Sequence, residues 1–302
     1  MREWRRGGSD ARLRPGAGRM IEGGALLHAF TVDVEDWYDG IPIDAGSKAV
    51  AERRLRIGMD RLTGLLSESG AGATFFLLGP IARREKSLVR ELAEAGHEIG
   101  CHGWSHDLLY SMSPERFRTE TSDAKKAIED VAGVPVTAYR AAYFSITRKS
   151  LWALDVLADL GFRCDSSIFP VRNWRYGIPD FETAPTTVET PSGDLFEFPL
   201  SVVDYPGRRV PATGGAYFRI YPYALSRRHV RTLESEGRPV VFYIHPWELD
   251  PDHPRVAFHW KPRLTHYWSL RPTAARLGRL LSDFSFAPLG RVMDNELERH
   301  RT

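Results

Sequence analysis

Two histidines, His102 and His106, stand four residues apart in this sequence. At that spacing both imidazole rings can face the same way on a helical turn. Imidazole nitrogens are the usual protein ligands of Zn²⁺, and two of them with one carboxylate leave coordination positions open for water and a substrate oxygen. The pair is therefore a candidate site for a divalent metal, although histidines at this spacing also occur as ordinary surface or core residues.

A carboxylate for such a site is available in the segment from Asp33 to Asp36. Asp33 follows the apolar run 29–32, so it lies near the end of a buried strand, where a charge needs a partner or a metal. Alternation along a strand puts Asp33 and Glu35 on one face and Asp36 on the other. A turn after Val34 would instead bring Asp36 inward. Both Glu35 and Asp36 are candidate metal ligands, and the alternation favours Glu35.

Three further polar residues, Arg140, Asp165 and His245, are isolated in the sequence. Taken alone, Arg140 is typical of a surface guanidinium, and Asp165 is typical of a turn because two serines follow it. His245 follows the run Val-Val-Phe-Tyr-Ile and precedes Pro-Trp-Glu, a pattern that favours a functional role over a purely structural one. These residues become candidates for catalysis only through their positions in the predicted fold.

The elements that position these residues alternate between strand and helix, because each short apolar run is followed by polar turn residues and then by a stretch of helical period. The predicted strands are 26–34, 73–78, 97–101, 136–139, a short strand that ends at Asp165, and 240–244. Each candidate residue ends or follows one of these strands, where β/α barrels place catalytic groups. We therefore predict an α/β fold, a distorted (β/α) barrel.

Capping residues and glycines predict the helix boundaries. One helix is expected to begin after Ser113 and to end near Gly133, and another to begin at Thr147 and to end at Gly161. The segment 169–222 is rich in proline, glycine and aromatic residues, which predicts loops and short antiparallel strands on the same domain.

The composition is that of an ordinary globular protein, with 302 residues, 42% hydrophobic residues and a formal net charge of +2. It excludes disordered, collagen-like and integral membrane classes, and no apolar run reaches the length of a membrane span. The small net charge gives no field that would gather nucleic acid. Cys101 and Cys164 match no disulfide or metal spacing, so both are expected to be reduced thiols.

Residues 1–24 contain six arginines, three acidic residues and no apolar stretch of the signal-peptide type. We predict a flexible basic tail over 1–24, one barrel domain over 25–290 and a C-terminal tail over 291–302. The missing export signal and the absence of a disulfide pattern predict a cytoplasmic location. Nothing in the sequence specifies an oligomeric state.

Seven segments together resemble the polysaccharide deacetylases of the NodB-homology type, also called carbohydrate esterase family 4. The segments are TVDVEDWY (31–38), ATFFLLG (73–79), HEIGCHGWSH (97–106), YRAAYFSI (139–146), DSSIFP (165–170), FYIHPWELD (242–250) and HYWSLRPT (266–273). The resemblance covers roughly residues 26–289, and the joint occurrence of the segments in the family's order makes it specific. Within the family, the DVEDW segment is similar to a branch often found with bacterial exopolysaccharide and exosortase-linked loci.

The resemblance implies a role for each catalytic candidate. Asp33 would be the general base, and Arg140 would orient it. His245 would be the general acid that protonates the leaving amine, and Asp165 would pair with His245. A backbone N–H near Tyr143 or Phe144 would help to stabilise the tetrahedral oxyanion.

The resemblance also implies a divalent metal, Zn²⁺ above all, with one carboxylate ligand. The implied ligands are His102, His106 and either Glu35 or Asp36. This chain departs from the family's usual pattern at Ala142, where a proline is expected, and at Phe169 and Tyr243, where tryptophan and leucine are usual. Without the proline, the loop after Arg140 lacks one fixed φ angle, whereas the other two replacements keep apolar walls.

The implied activity is metal-dependent removal of N-acetyl groups from GlcNAc-type residues of a bacterial polysaccharide or its precursor. The partner would then be an N-acetylated glycan. Two other hypotheses are a barrel amidohydrolase that acts on a small cyclic amide and a catalytically silent barrel that binds a glycan. A silent relative should have lost a metal ligand, the base or the acid, and this chain has a candidate for every one.

Overall fold

The computed structural model of the protein describes residues 12–15, 26–41, 43–256 and 259–299. Within these residues the chain forms a curled, mainly parallel sheet against which the helices pack. This architecture confirms the predicted fold class, a distorted (β/α) barrel.

The strands and helices alternate along most of the described chain. The strands are β1 (Arg12–Pro15), β2 (His28–Val34), β3 (Thr74–Leu77), β4 (Glu98–Cys101), β5 (Ala138–Tyr139), β6 (Cys164–Asp165), β7 (Thr186–Thr190), β8 (Gly193–Glu197), β9 (Val202–Tyr205), β10 (Arg208–Pro211), β11 (Val241–Ile244) and β12 (Phe286–Ala287). The α-helices are α1 (Ala45–Val50), α2 (Leu55–Ser69), α3 (Gly79–Arg84), α4 (Lys86–Glu94), α5 (Pro114–Ala132), α6 (Trp152–Asp159), α7 (Gly215–Ile220), α8 (Tyr223–Ser235), α9 (Trp260–Tyr267), α10 (Thr273–Asp283) and α11 (Leu289–Arg299). Short 3-10 helices span Leu109–Ser111, Ala142–Phe144 and Pro246–Leu249.

The order of the strands places β2 in the parallel part of the sheet. That part runs β8-β6-β5-β4-β3-β2-β11, and β12 also pairs with the start of β2. Every residue of β2 is buried, because the strand has neighbours on both edges and is covered on both faces. Two-sided burial explains why the sequence of β2 is a nearly continuous apolar run up to Asp33.

Most of the expected helix boundaries are present. Ser113 caps the N-terminus of α5 by accepting a hydrogen bond from the Arg116 N–H, and Gly133 ends the helix with a left-handed φ of 70°. Thr147 does not cap α6, because the helix begins at Trp152. The Thr147 N–H instead donates to Ser150 Oγ at 2.9 Å, in a turn that precedes the helix.

The two ends of the chain differ in what the structure describes. The predicted flexible tail 1–24 lies outside the described residues except for β1, which pairs antiparallel with β7. At the other end, α11 buries Leu289, Val292 and Met293. The packed structure therefore continues to Arg299, beyond the boundary expected at residue 290.

The two cysteines are buried in the sheet, in strands β4 and β6. Cys101 ends β4, Cys164 begins β6, and both are buried free thiols, as the sequence predicts. Burial raises the pKa of Cys101 to about 12, so this thiol is unreactive at neutral pH. Among the described residues, no helix combines the length and the apolar character that crossing a membrane requires.

Helix α2 packs directly on the 3-10 helix that follows β11. Gly58 of α2 allows this contact, because a Cβ at that position would lie 2.0 Å from the backbone oxygen of Pro246. Arg61, one turn later, donates from Nη1 to the backbone oxygen of Leu249 at 2.6 Å. The segment that begins at His245 is thereby held against α2 at both of its ends.

The contact at Gly58 leads to a prediction about stability. Replacing glycine by alanine inside a helix usually stabilises it by about 0.5–1 kcal/mol. Gly58→Ala should instead lower the free energy of unfolding by about 1–3 kcal/mol, because the new methyl group overlaps backbone atoms. Gly64→Ala is the matched control in the same helix, since its Cβ would meet no atom within 4 Å. Urea unfolding should show opposite signs for the two variants; stabilisation by both would contradict the packing described.

Candidate active site

The polar residues expected to act together lie at one edge of the sheet. Glu35 follows β2, His102 follows β4, Arg140 follows β5 and His245 follows β11, while Asp165 is the last residue of β6. The carboxyl ends of neighbouring parallel strands share an edge, which is where β/α folds collect functional side chains. Five separate segments of the sequence therefore meet at this edge.

Glu35, His102 and His106 form a cluster whose ligand atoms lie within 4.8 Å of one another. Glu35 Oε1 is 3.1 Å from His102 Nε2 and 2.7 Å from His106 Nε2. Glu35 and His102 are buried, and His106 is half-buried. One carboxylate oxygen with two imidazole nitrogens is a donor set that suits a divalent metal such as Zn²⁺.

The hydrogen bond on the far side of His102 fixes the nitrogen that could bind a metal. His102 Nδ1 lies 2.8 Å from the backbone oxygen of Arg140 and must be the donor, because a carbonyl oxygen only accepts. In the neutral ring Nε2 then keeps its lone pair, which faces the Glu35 carboxylate. Two acceptors at this distance require a cation or a proton between them, so the residues present fit a metal site.

Asp36, the other candidate ligand, is engaged elsewhere. Its Oδ1 accepts from the Trp37 N–H at 2.9 Å and its Oδ2 accepts from the Arg54 N–H at 3.2 Å, directly before α2. Burial raises the pKa of Asp36 to about 6. Burial acts on Glu35 in the same direction, but His106, His245 and His102 hold the pKa of Glu35 well below its ordinary value. The structure thus brings Glu35, and not Asp36, to the histidines.

Arg140 is completely buried and joins the ends of β2, β5 and β6. Its Nη1 donates to Asp33 Oδ1 at 2.9 Å and to Thr31 Oγ1 at 2.7 Å. Its Nε and Nη2 donate to the backbone oxygen and to the Oγ of Ser166, each at 2.9 Å. The guanidinium lies 4.4 Å from the centre of the Phe76 ring. The buried Asp33 carboxylate therefore has the charged partner that the resemblance implies.

His245 faces the other oxygen of Asp33, with Nε2 at 3.9 Å from Oδ2. Its Nδ1 lies 2.8 Å from Glu248 Oε1, which also accepts from the His245 backbone N–H at 3.0 Å. The predicted pairing of His245 with Asp165 is therefore wrong. The reason is local, because Pro246 begins a 3-10 helix that folds the residue three positions later back onto His245.

Glu248 is itself held by a second buried charge. Its Oε2 accepts from Arg219 Nε at 2.5 Å. Arg219 is buried in α7, and its Nη1 donates to the backbone oxygens of His266 at 3.2 Å and Trp268 at 2.6 Å. Burial alone would raise the pKa of Glu248, but Arg219 and His245 lower it to about 2.

The same carboxylates determine the charge of His245. Burial lowers its pKa, whereas Glu35, Glu248 and Asp33 raise it, and the net result is a pKa of about 9. The carboxylates around His245 therefore favour its protonated form. A protonated imidazole beside a carboxylate that can accept a proton is the arrangement that general acid–base chemistry requires.

Asp165 belongs to a different buried network. Its Oδ1 accepts from Ser167 Oγ at 2.5 Å, and Ser167 Oγ in turn accepts from the Ala141 N–H at 2.8 Å. The buried Glu197 carboxyl lies on the paired residue of β8, and its Oε1 accepts from the Ile168 N–H at 3.0 Å. The role of Asp165 in this structure is thus to hold the segment that follows Arg140.

That segment carries backbone strain beside the metal cluster. Tyr143 and Phe144 have left-handed φ angles of 56° and 54°, and His106 has one of 57°. For residues other than glycine such conformations cost on the order of 1–3 kcal/mol each and occur mainly at functional sites. The Tyr143 ring lies 4.6 Å from the His106 ring, so the strained residues contact one another.

Three residues of this arrangement were missed by sequence reasoning: Glu248, Arg219 and Glu197. A signal for Glu248 exists, because a proline directly after His245 favours a tight turn, and an acid three positions after the histidine then returns to it. Arg219 and Glu197 come from distant segments without a recognisable motif. Only the packing of those segments reveals them.

The choice between Glu35 and Asp36 leads to a prediction about metal binding. Glu35→Ala should weaken the binding of Zn²⁺ by about 10- to 100-fold or more, since even changes beside a ligand have effects of that size. Asp36→Asn is the matched control, which should keep its metal and lose stability through weakened hydrogen bonds to the backbone before α2. Elemental analysis after dialysis measures both; equal metal loss would show that the cluster is incorrectly assigned.

The buried carboxyl pair leads to a prediction about pH. Burial, and then the charge of Asp165, raise the pKa of Glu197 well above its ordinary value of 4.5. A carboxyl whose pKa is raised on folding contributes stability that is present below its unfolded pKa and is lost as pH rises through its folded pKa. Glu197→Gln should therefore flatten the fall in unfolding free energy as pH rises above 4.5, the ordinary pKa of this carboxyl. Exposed Glu236→Gln should leave that slope unchanged; an unaltered slope in Glu197→Gln would show that the pKa of Glu197 is not raised on folding.

Comparison with known proteins divides the chain into two matched parts. Residues 44–164 match the family described as polysaccharide deacetylase, and residues 166–294 match a domain of unknown function, DUF3473. Among the relatives, a peptidoglycan-N-acetylglucosamine deacetylase of Listeria monocytogenes is 26% identical over 111 residues, which is 37% of this chain and 22% of that protein. A chitooligosaccharide deacetylase of Azorhizobium caulinodans is 32% identical over 111 residues, which is 36% of this chain and 51% of that protein.

The matched relatives extend beyond the region of similarity, since the alignments span less than two thirds of their length. A structural comparison covers more of the fold. A protein of Mycobacterium smegmatis, described as a polysaccharide deacetylase, aligns with 95% of this chain and 96% of its own at a TM-score of 0.67 and 23% sequence identity. These matches and the shared barrel agree with one another: residues 44–164 match a polysaccharide deacetylase domain of the NodB, or carbohydrate esterase family 4, type, and the fold is the one such proteins have.

Proposed function

We propose that the protein is a metal-dependent hydrolase that removes N-acetyl groups from GlcNAc-type residues of a bacterial polysaccharide or its precursor. The observation that carries the proposal is the position of Asp33. One of its oxygens is bound by Arg140, and the other faces His245, beside the cluster of Glu35, His102 and His106. A base, an acid and a metal donor set therefore lie in one site.

Each of these groups has a place in amide hydrolysis. A divalent metal held by Glu35, His102 and His106, with Zn²⁺ as our choice, would supply polarisation of the amide carbonyl and acidification of water. Asp33 accepts the proton of the attacking water, and the C–N bond breaks as the protonated Nε2 of His245 gives its proton to the leaving nitrogen. Acetate and a free amino sugar are the products.

The strained backbone at Tyr143 and Phe144 provides a candidate hydrogen-bond donor for the oxyanion. The Phe144 N–H donates to the backbone oxygen of Ala141 at 3.1 Å, so it is already used within the loop. We assign the oxyanion contact to the Tyr143 N–H, whose residue has the left-handed conformation described above. The strain at this loop is then part of the arrangement that stabilises developing negative charge.

A series of flat groups connects the metal cluster with an exposed tryptophan and supports a glycan as substrate. The Tyr143 ring contacts His106, and the Arg175 guanidinium lies 4.5 Å from the centre of the Tyr143 ring and 5.8 Å from the centre of the Trp174 ring. Trp174 is 90% exposed. Exposed aromatic faces suit stacking on sugar rings.

The experiment that tests the proposal measures acetate release. Chitooligosaccharides, peptidoglycan and lipid-linked glycan intermediates are each incubated with the protein, with and without a chelator. Acetate release is expected from at least one N-acetylated glycan, with loss on chelation and recovery on addition of Zn²⁺. Asp33→Asn should lower the rate by about 10²- to 10⁴-fold, the usual contribution of a general base.

The control for that variant is Asp60→Asn, which changes an exposed carboxylate of α2 in the same way. It should leave acetate release at the level of the unmodified protein. Binding of glycans without any acetate release would favour the silent barrel. Hydrolysis restricted to small cyclic amides would favour the amidohydrolase, and either result would overturn the proposal.

A further inference from the structure

The support of His245 comes from the part of the chain that matches the domain of unknown function. His245, Glu248 and Arg219 all lie within residues 166–294, whereas His102, His106 and Arg140 lie within 44–164. The deacetylase match therefore contains the two histidines of the metal cluster but not the proposed acid or its partners. The residues that orient His245 and favour its protonated form must therefore be sought within residues 166–294.

The contacts of Glu248 are of the kind that set both the orientation and the charge of an imidazole. Glu248 Oε1 accepts from the Nδ1 and from the backbone N–H of His245, so the ring cannot rotate without losing a buried hydrogen bond. With Nδ1 donating to a carboxylate, the ring retains its second proton on Nε2, the atom that faces Asp33. That proton is the one a leaving amine would receive.

Arg219 keeps Glu248 ionised and in place. A buried carboxylate is costly without a charged partner, and the Arg219 Nε at 2.5 Å provides one. The guanidinium is anchored in turn by the backbone oxygens of His266 and Trp268. The position of Arg219 therefore does not depend on Glu248 alone.

Two glycines allow α7 to bring Arg219 this close. A Cβ at Gly214 would lie 2.4 Å from Tyr243 Cδ1, and one at Gly215 would lie 2.5 Å from Tyr243 Cε2. Both glycines have positive φ angles, of 100° and 46°. The start of α7 thus packs on the residue two positions before His245, which places Arg219 over Glu248.

We propose that Glu248, with Arg219 behind it, is the positioning residue that makes His245 an acid for the leaving amine, in the place where the resemblance assigned Asp165. Asp165 does not serve there, because the Nδ1 of His245 is bonded to Glu248, and Asp165 Oδ1 accepts from Ser167. This inference rests on the proposed function, since it assigns a helper to the acid of that same reaction. Neither Glu248 nor Arg219 needs to touch the substrate.

The test compares two substrates that differ in their need for an acid. An N-acetylated sugar must have its leaving nitrogen protonated, whereas 4-nitrophenyl acetate releases a weakly basic phenolate that needs no proton. Glu248→Gln should lower kcat on the N-acetylated sugar by about 10²-fold or more, the usual contribution of general acid catalysis. The chelator-sensitive rate on the ester, the KM for the sugar and the metal content should change far less.

Arg219→Lys keeps a positive charge but removes the guanidinium that contacts both Glu248 and the backbone oxygens. It should therefore lower kcat on the N-acetylated sugar more than the rate on the ester, but by less than Glu248→Gln does. Glu236→Gln, an exposed carboxylate in the same part of the chain, is the matched control and should leave both rates unchanged. Equal losses on ester and amide in Glu248→Gln would show a merely structural role and would overturn the inference. Rates equal to those of the unmodified protein would overturn it as well.

A measurement that needs no turnover separates this inference from the proposed function. Nitrogen NMR of His245 in the metal-free protein should show Nδ1 protonated and strongly hydrogen-bonded, and Glu248→Gln should weaken that signature. If the unmodified protein releases no acetate from any glycan, the proposed function fails, and this NMR comparison still decides whether Glu248 sets the state of His245. An unchanged His245 signature in Glu248→Gln would overturn the inference even in an active enzyme.

Discussion

The buried guanidinium of Arg140 is the interaction on which the geometry of the site depends. An unpaired charge in the interior would be very costly, so each of its donors must meet an acceptor. Those acceptors lie on Thr31, Asp33 and Ser166, which ties together the ends of β2, β5 and β6. The backbone oxygen of the same residue accepts from His102, so one position along the chain fixes both Asp33 and one histidine of the candidate metal cluster.

The histidines of the site are oriented by groups that would not react themselves. His102 is held through Nδ1 by a backbone carbonyl, and His245 is held through Nδ1 by a carboxylate. The two acceptors differ in charge. The neutral carbonyl on Nδ1 leaves Nε2 of the first ring facing Glu35, whereas the carboxylate on Nδ1 stabilises the protonated form of the second ring. This difference suits the two roles that we propose for these histidines, a metal ligand and an acid.

The site is complete only when three stretches of the chain are folded together. Asp33 and Glu35 lie before the region that matches the deacetylase family, and His245 lies in the region that matches DUF3473. Parallel pairing of β2 with β11, in the register Val32 with Ile244, is what brings the first and last of these stretches into contact. The domain of unknown function is in this respect part of the barrel and contributes directly to the site.

The sequence by itself determined the order of the strands along the chain, the apolar character of β2, the polar residues at the strand ends and the preference for Glu35. These features are local, because they follow from periodicity, alternation and capping within a few residues. Only the tertiary structure decided that Asp165 bonds to Ser167, and that Glu248 and Arg219 support His245. The choice of a hydrogen-bond partner depends on distances between segments that are remote in sequence, and those distances exist only once the sheet has closed around its buried charges.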